Sequence, residues 1–238
     1  MSCEDALKEI ARKKLLFGKD LVKKVVECED APELVVKLAD ELDEISDGWF
    51  SVHAIFILSI IGNDRAFEAL KHIVSTRDLG DFTVEDLPYL FARFEGKASE
   101  LKEIVENENF DVFVRLAAFK ALMHLSREDA ELVAEKLLEE VKKKKDESCV
   151  FLMYISALGG KFREECLKLA EDCEIHPEDL LTELDFRLED PWEHFSPESL
   201  LRLYKINYGK LNFDKYAPCF CGSGKKFKFC CYEVWKRI

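Results

Sequence analysis

Apolar residues in this chain fall three and four apart over stretch after stretch, as at Val114, Ala117, Ala118, Ala121, Leu122 and Leu125. That spacing lines one face of a helix, and alternating apolar–polar runs, the mark of a half-buried strand, are nearly absent. The chain is therefore expected to be all-α. Several helix boundaries are written in the residues themselves. Ser126 precedes Arg-Glu-Asp129, a capping-box pattern, and Ser196-Pro197-Glu198 puts proline in a first helical turn. His176-Pro177-Glu178 has the form of another start, Gly209 suits a helix end, and Asn212 to Pro218 reads as a linker.

A longer period lies beneath the helices. Ile61-Gly62-Asn63-Asp64, Phe94-Glu95-Gly96-Lys97, Leu125-Ser126-Arg127-Glu128 and Leu158-Gly159-Gly160-Lys161 each separate an apolar helix from an amphipathic one. Cys28-Glu29-Asp30-Ala31 is a poorer copy near the start. The turns begin at 28, 61, 94, 125 and 158, so the period is 33, 33, 31 and 33 residues. Helical hairpins of that length cannot bury an apolar face alone and stack into an α-solenoid, with an irregular helical bundle as the competing arrangement. Val114-Arg115-Leu-Ala-Ala118-Phe-Lys-Ala121-Leu122 resembles the first helix of a HEAT repeat, which implies a solenoid of HEAT-like hairpins. The expected layout is a HEAT-like helical-repeat domain over 1–190, a capping helix and linker over 191–213, and a small metal-stapled loop over 214–238.

Charge divides the chain the same way. From Lys205 to Ile238 there are eight basic and two acidic residues, a balance of +6. The whole chain carries −13, so residues 1–204 carry −19. An acidic body does not suit nucleic acid lying along it, whereas a basic tail permits a local contact with RNA, anionic lipid or an acidic protein face. No run of eighteen apolar residues is present, so no membrane span is expected. The acidic opening Met1-Ser-Cys-Glu-Asp-Ala lacks the regions of a signal peptide. A cytoplasmic location follows as the expectation, with cysteines as free thiols or metal ligands rather than disulfides.

One short segment names a chemistry. Cys219, Cys221, Cys230 and Cys231 fall within Cys219-Phe-Cys221-Gly-Ser-Gly-Lys-Lys-Phe-Lys-Phe-Cys230-Cys231. Four thiolates on a short loop suit a tetrahedral zinc ion, and iron accepts the same donor set. A segment this small cannot bury a core, so it needs a staple, and metal binding makes folding and ligation one event. Gly222 and Gly224 allow sharp turns, and Lys225, Lys226 and Lys228 offset the charge of a tetrathiolate site. With all four positions filled by sulfur, the metal is structural rather than catalytic. Gly-Ser-Gly-Lys-Lys is an incomplete phosphate loop with no strand before it, and a redox dithiol lacks its usual C-x-x-C spacing.

The stretch from Pro218 to Cys231 is similar to the SEC-C motif, familiar from the carboxyl tail of the SecA translocation motor. The resemblance implies that Cys219, Cys221, Cys230 and Cys231 are zinc ligands and that the tail is a docking module for protein or anionic lipid. Phe220 stands where proline is usual, and Lys215-Tyr216-Ala217 replaces the usual lead-in. The layout of helical hairpins ending in this motif resembles an uncharacterised family of prokaryotic helical-repeat proteins.

Other residues offer less. Cys166 and Cys173 lie about two helical turns apart with His176 nearby, and read as buried thiols and a cap rather than a second metal site. His53, His72 and His124 have no ligand spacing to one another, and acidic runs such as Glu41-Leu-Asp43-Glu44 read as solvated faces. No catalytic constellation is recognisable, so an enzyme is not expected. Phe220, Phe227, Phe229, Tyr232 and Trp235 are many aromatics for a tiny unit; they pack on the body or form a platform ringed by lysines. The residues expected to meet a partner are Lys225, Lys226, Phe227, Lys228 and Trp235. The function expected is a non-enzymatic adaptor that docks a protein partner through the tail, with an RNA- or ribosome-associated factor as the alternative.

Overall fold

The computed structural model describes residues 1–144 and 147–238. Among them are fourteen α-helices, short 3-10 turns, no β-strand and one isolated antiparallel bridge between Pro218 and Lys226. The chain forms two compact units. The first combines residues 1–77 with 189–238, and the second is the intervening stretch 78–188. The last fifty residues group with the first helices.

Unit one contains α1 (Cys3–Lys13), α2 (Lys19–Val26), α3 (Ala31–Ser46), α4 (Trp49–Ile61) and α5 (Asp64–Thr76). Its centre is α4, in which every residue from Phe50 to Ser59 is buried. A helix apolar all round must be covered on all sides, and at thirteen residues this one is too short to cross a membrane. No helix among the described residues is long and apolar enough to do so. Helices α3 and α5 pack on α4, as does the returning 3-10 turn Pro191–Phe195. Asp47 and Gly48 adopt left-handed backbone to end α3 and start α4. Asp43, expected on a solvated face, is instead largely enclosed: its carboxylate accepts from the Ser51 N–H at 2.8 Å, the Ser51 hydroxyl at 2.5 Å and Arg77 Nε at 3.1 Å. It fixes the turn that α3 cannot fix with apolar contacts.

The second unit holds α6 (Asp81–Glu85), α7 (Leu87–Ala92), α8 (Ala98–Glu106), α9 (Val112–Leu125), α10 (Arg127–Lys144), α11 (Val150–Ile155) and α12 (Gly160–Ala170). Its middle helix, α9, packs on α7, α8 and α10. Buried Arg115 of α9 donates to both Glu140 carboxylate oxygens at 2.9 and 2.7 Å and to the Val105 carbonyl at 2.8 Å, so its charge is paired where it is desolvated. Ser126 accepts from the Asp129 N–H at 3.3 Å, as the capping pattern predicts. All five turns read from the sequence lie between helices, at α2–α3, α4–α5, α7–α8, α9–α10 and before α12. The helix expected after His176 is only a three-residue 3-10 turn, Pro177–Asp179.

The cysteines depart from expectation here. Cys149 and Cys173, twenty-four residues apart in sequence, are joined as a disulfide with a Cα separation of 5.7 Å. Cys173 is therefore not the free thiol predicted, while Cys166 is buried and unpaired as expected.

A hydrogen-bonded histidine pair ties residues 189–238 to α4. His53 Nδ1 lies 2.9 Å from His194 Nε2, and His53 Nε2 lies 2.8 Å from the Lys14 carbonyl. A carbonyl only accepts, so His53 carries its proton on Nε2, and its bare Nδ1 accepts from His194 Nε2–H. Phe56 stacks on His194 at 3.7 Å and Phe17 meets His53 edge-on at 5.0 Å. Burial holds His53 near 4, and burial with the neighbouring His53 holds His194 well below its ordinary value. Both are neutral in the fold, whereas an unfolded chain takes up protons near 6.5. The unfolded state then binds more protons, so this stability is complete above about 6.5 and is lost as pH falls towards 4, by at most about 1.4 kcal/mol per pH unit for each ring. Denaturant titrations from pH 7.5 to 4.5 should show that fall, and a His53→Leu/His194→Leu double variant should show a shallower one.

Candidate metal centre

The four-cysteine loop is built by backbone pairing before any metal is considered. Cys219 N–H donates to the Lys225 carbonyl at 2.7 Å, Phe227 N–H to Ala217 at 2.9 Å, and Lys228 N–H to Lys215 at 2.7 Å. These bonds fold 215–219 against 225–228, and Gly222 and Gly224, both at positive φ (80° and 73°), turn the chain between them. A 3-10 turn over Phe227–Phe229 then brings Cys230 and Cys231 back to the first pair, and α14 (Tyr232–Arg237) follows.

All four sulfurs lie within 4.8 Å of one another. Cys221 and Cys230 are 3.5 Å apart, and Cys230 and Cys231 3.8 Å. Zinc–thiolate bonds of about 2.3 Å in a tetrahedron require sulfurs roughly 3.8 Å apart, so the set fits a four-coordinate zinc ion. Tetrahedral iron fits the same donors. The thiols also show what a cation would relieve. Burial pushes Cys219 up, and burial followed by hydrogen bonding and charge from Cys219 and Cys221 pushes Cys231 up further. Burial opposes ionisation of Cys221 too, but hydrogen bonds from Ser223 and from Cys219 and Cys230 outweigh it and draw Cys221 down to about 7. Four adjacent thiolates need a shared positive charge to coexist.

The loop docks on unit one. Phe227 is fully buried in a cluster with Leu201, Cys219 and Cys231, against which Leu16, Phe213, Phe220 and Trp235 pack. Leu201 comes from α13 (Pro197–Tyr208), capped at its start by Ser196 and at its end by Gly209, as the sequence predicts. The loop also presses on the start of α2. A Cβ at Gly18 would lie 3.1 Å from Cys221 C and O and from Phe220 O, and one at Gly222 would lie 3.2 Å from Asp20 Oδ2. Lys205 of α13 donates to the Ile238 carbonyl at 2.8 Å and sits 5.4 Å from the Trp235 ring, holding α14 in place.

The residues expected to meet a partner are thereby sorted. Lys225 and Lys226 are exposed and Lys228 is half-buried. Phe227 is a core residue with no surface to offer, and Trp235 is half-buried against Tyr204 at 6.2 Å. Of the aromatics expected to pack or to form a platform, Phe229 is the exposed one at 66%, and Tyr216, 43% exposed, is the residue missed. Lys228 Nζ donates to the Tyr216 hydroxyl at 2.8 Å and lies 5.7 Å from the Phe229 ring, while Lys215 and Lys226 sit 5.7 and 5.9 Å from the Tyr216 ring. This lysine–aromatic patch lies on the loop's outer side. The signal was present in the sequence: the aromatic pair at 227 and 229 brackets a 3-10 turn, so one ring faces in and the other out. A second group of ligand-bearing side chains, Cys3, Cys28 and Asp30, also comes together although nothing in their spacing announced it.

Residues 1–139 match a family described as protein of unknown function (DUF1186), and the chain belongs to that family. Residues 217–233 match the SEC-C motif. No curated protein matches, and neither does any solved structure.

Three outcomes follow. A Cys219→Ser/Cys221→Ser double variant should lose one equivalent of metal by elemental analysis and unfold at lower denaturant. Gly18→Ala should cost about 1–3 kcal/mol, because backbone atoms and not flexible side chains oppose the new methyl, and should speed metal loss to a chelator. Phe227→Ala should cost about 3–5 kcal/mol in denaturant unfolding, while Phe229→Ala should change stability little.

Proposed function

We propose that this member of the DUF1186 family is a non-enzymatic interaction protein: a body of HEAT-like helical hairpins bearing a zinc-stapled SEC-C tail that docks a protein partner with an acidic contact face. The observation that carries the reading is the pair of exposed rings, Tyr216 and Phe229, set among Lys215, Lys226 and Lys228 on a loop whose own core is already filled by Phe227. A loop that leaves one aromatic out while burying its neighbour presents a rigid anchor at low entropic cost. The lysines give the tail an excess of positive charge, +6 over residues 205–238, which favours a partner with an acidic contact face.

The metal's part is to hold this patch. Cys219, Cys221, Cys230 and Cys231 would bind zinc, and a bound ion supplies structural rigidity to a loop too small to fold by burial. The family models support the tail as a metal motif, and the packing on Leu201 and Gly18 supports a patch fixed relative to α2 and α13.

A second reading draws on the same ring: Tyr216 flanked by three lysines also suits stacking on a single-stranded RNA base. Salt separates the two, since phosphate contacts weaken steeply with ionic strength and an apolar anchor does not. Proximity labelling in cells should recover a protein set with the intact chain. Phe229→Ala and Lys228→Glu should reduce capture of its direct member by roughly tenfold or more with metal content unchanged. Unchanged capture in both variants would sink the docking patch, and co-purifying RNA that is lost at moderate salt would turn the reading to nucleic acid.

A further inference from the structure

Cys3 opens α1, and Cys28 and Asp30 both lie in the connection between α2 and α3, so two segments of unit one converge at one spot. One sulfur or oxygen from each residue lies within 4.8 Å of the others. The Cys28 thiol donates to the Lys24 carbonyl at 2.9 Å. Both thiols are partly exposed and neither is in a disulfide, while Asp30 is exposed.

We propose that Cys3, Cys28 and Asp30 form a second metal site, for a thiophilic divalent cation such as zinc, independent of the four-cysteine loop. The donor set is two thiolates and one carboxylate, soft enough to exclude magnesium and calcium and suited to tetrahedral zinc. The neighbouring Glu27 and Glu29 add a negative field that draws a cation. With three protein donors on a solvent-facing edge, the fourth position is open to water or to a donor from outside the chain. Such a site is weaker and more exchangeable than a closed tetrathiolate, so its occupancy would follow the supply of free metal while the tail remains loaded.

Its ligands lie 25 and 27 residues apart from the first, across two helix turns, and no local motif could have shown them. The site bridges α1 to the turn that starts α3, so the bound cation also pins the amino end of unit one.

Cobalt titration of the full-length, metal-stripped protein under a phosphine reductant tests this directly. The wild type should bind two equivalents, the second with a thiolate-to-cobalt charge-transfer band about half as intense, because two thiolates replace four. Cys28→Ser should lose only the weaker equivalent. Asp30→Asn keeps the α3 start intact, since the Asp30 side chain makes no capping hydrogen bond there, and should weaken that equivalent while leaving the first unchanged. Cys219→Ser/Cys221→Ser should lose the other equivalent and retain the weaker. A single equivalent in the wild type, or a second one unaffected by Cys28→Ser, overturns the proposal.

Discussion

The structure turns on a helix that has no face for water. Residues 50–59 of α4 are buried without interruption, so neighbouring elements must supply cover on every side. Helices before and after it in sequence provide part of that cover, and the 3-10 turn at 191–195 provides more. Filling this gap brings His194 to His53 across 141 residues of sequence. The polar pair is what makes the join specific. An apolar contact alone would accept many registers, whereas the chain from the Lys14 carbonyl through His53 to His194 is satisfied in one.

Once α13 is brought back in this way, the cysteine loop has a surface to fold on. Leu201 and Leu16 close over Phe227, and Gly18 lets the backbone at Phe220 and Cys221 approach to where a methyl would be crowded at 3.1 Å. The loop is thus held twice, from within by its backbone pairing and from outside by packing. That double restraint explains how so short a segment separates its aromatics by role. Phe227 anchors the loop to the body, and Phe229, two residues on, is left to the solvent among lysines.

Much of this was legible from periodicity and caps. The all-α class, the helix turns, the start at Ser196 and the end at Gly209 follow from local rules that burial does not override. The four sulfurs were legible for a similar reason: metal ligation is written in spacing. What the sequence hid was long-range. The histidine pair, the Cys149–Cys173 bond and the convergence of Cys3, Cys28 and Asp30 depend on contacts between distant segments, for which no local pattern exists. Asp43 misled for a different reason, because an acidic run on a helix face gives no sign that one of its carboxylates will cap the next helix. The unit division was hidden too, since the break at 77–78 carries no change in composition.

The discontinuity of unit one has a consequence for the order of events at the ribosome. Residues 1–77 emerge first but lack the cover that residues 189–195 place on α4, and the whole of 78–188 must be made in between. Through that interval α4, which the finished fold buries on every side, is nascent and only partly sheathed. The intervening unit, which contains its own core around α9, can complete its folding during the wait. The middle of the chain can therefore complete its core before the first helices complete theirs.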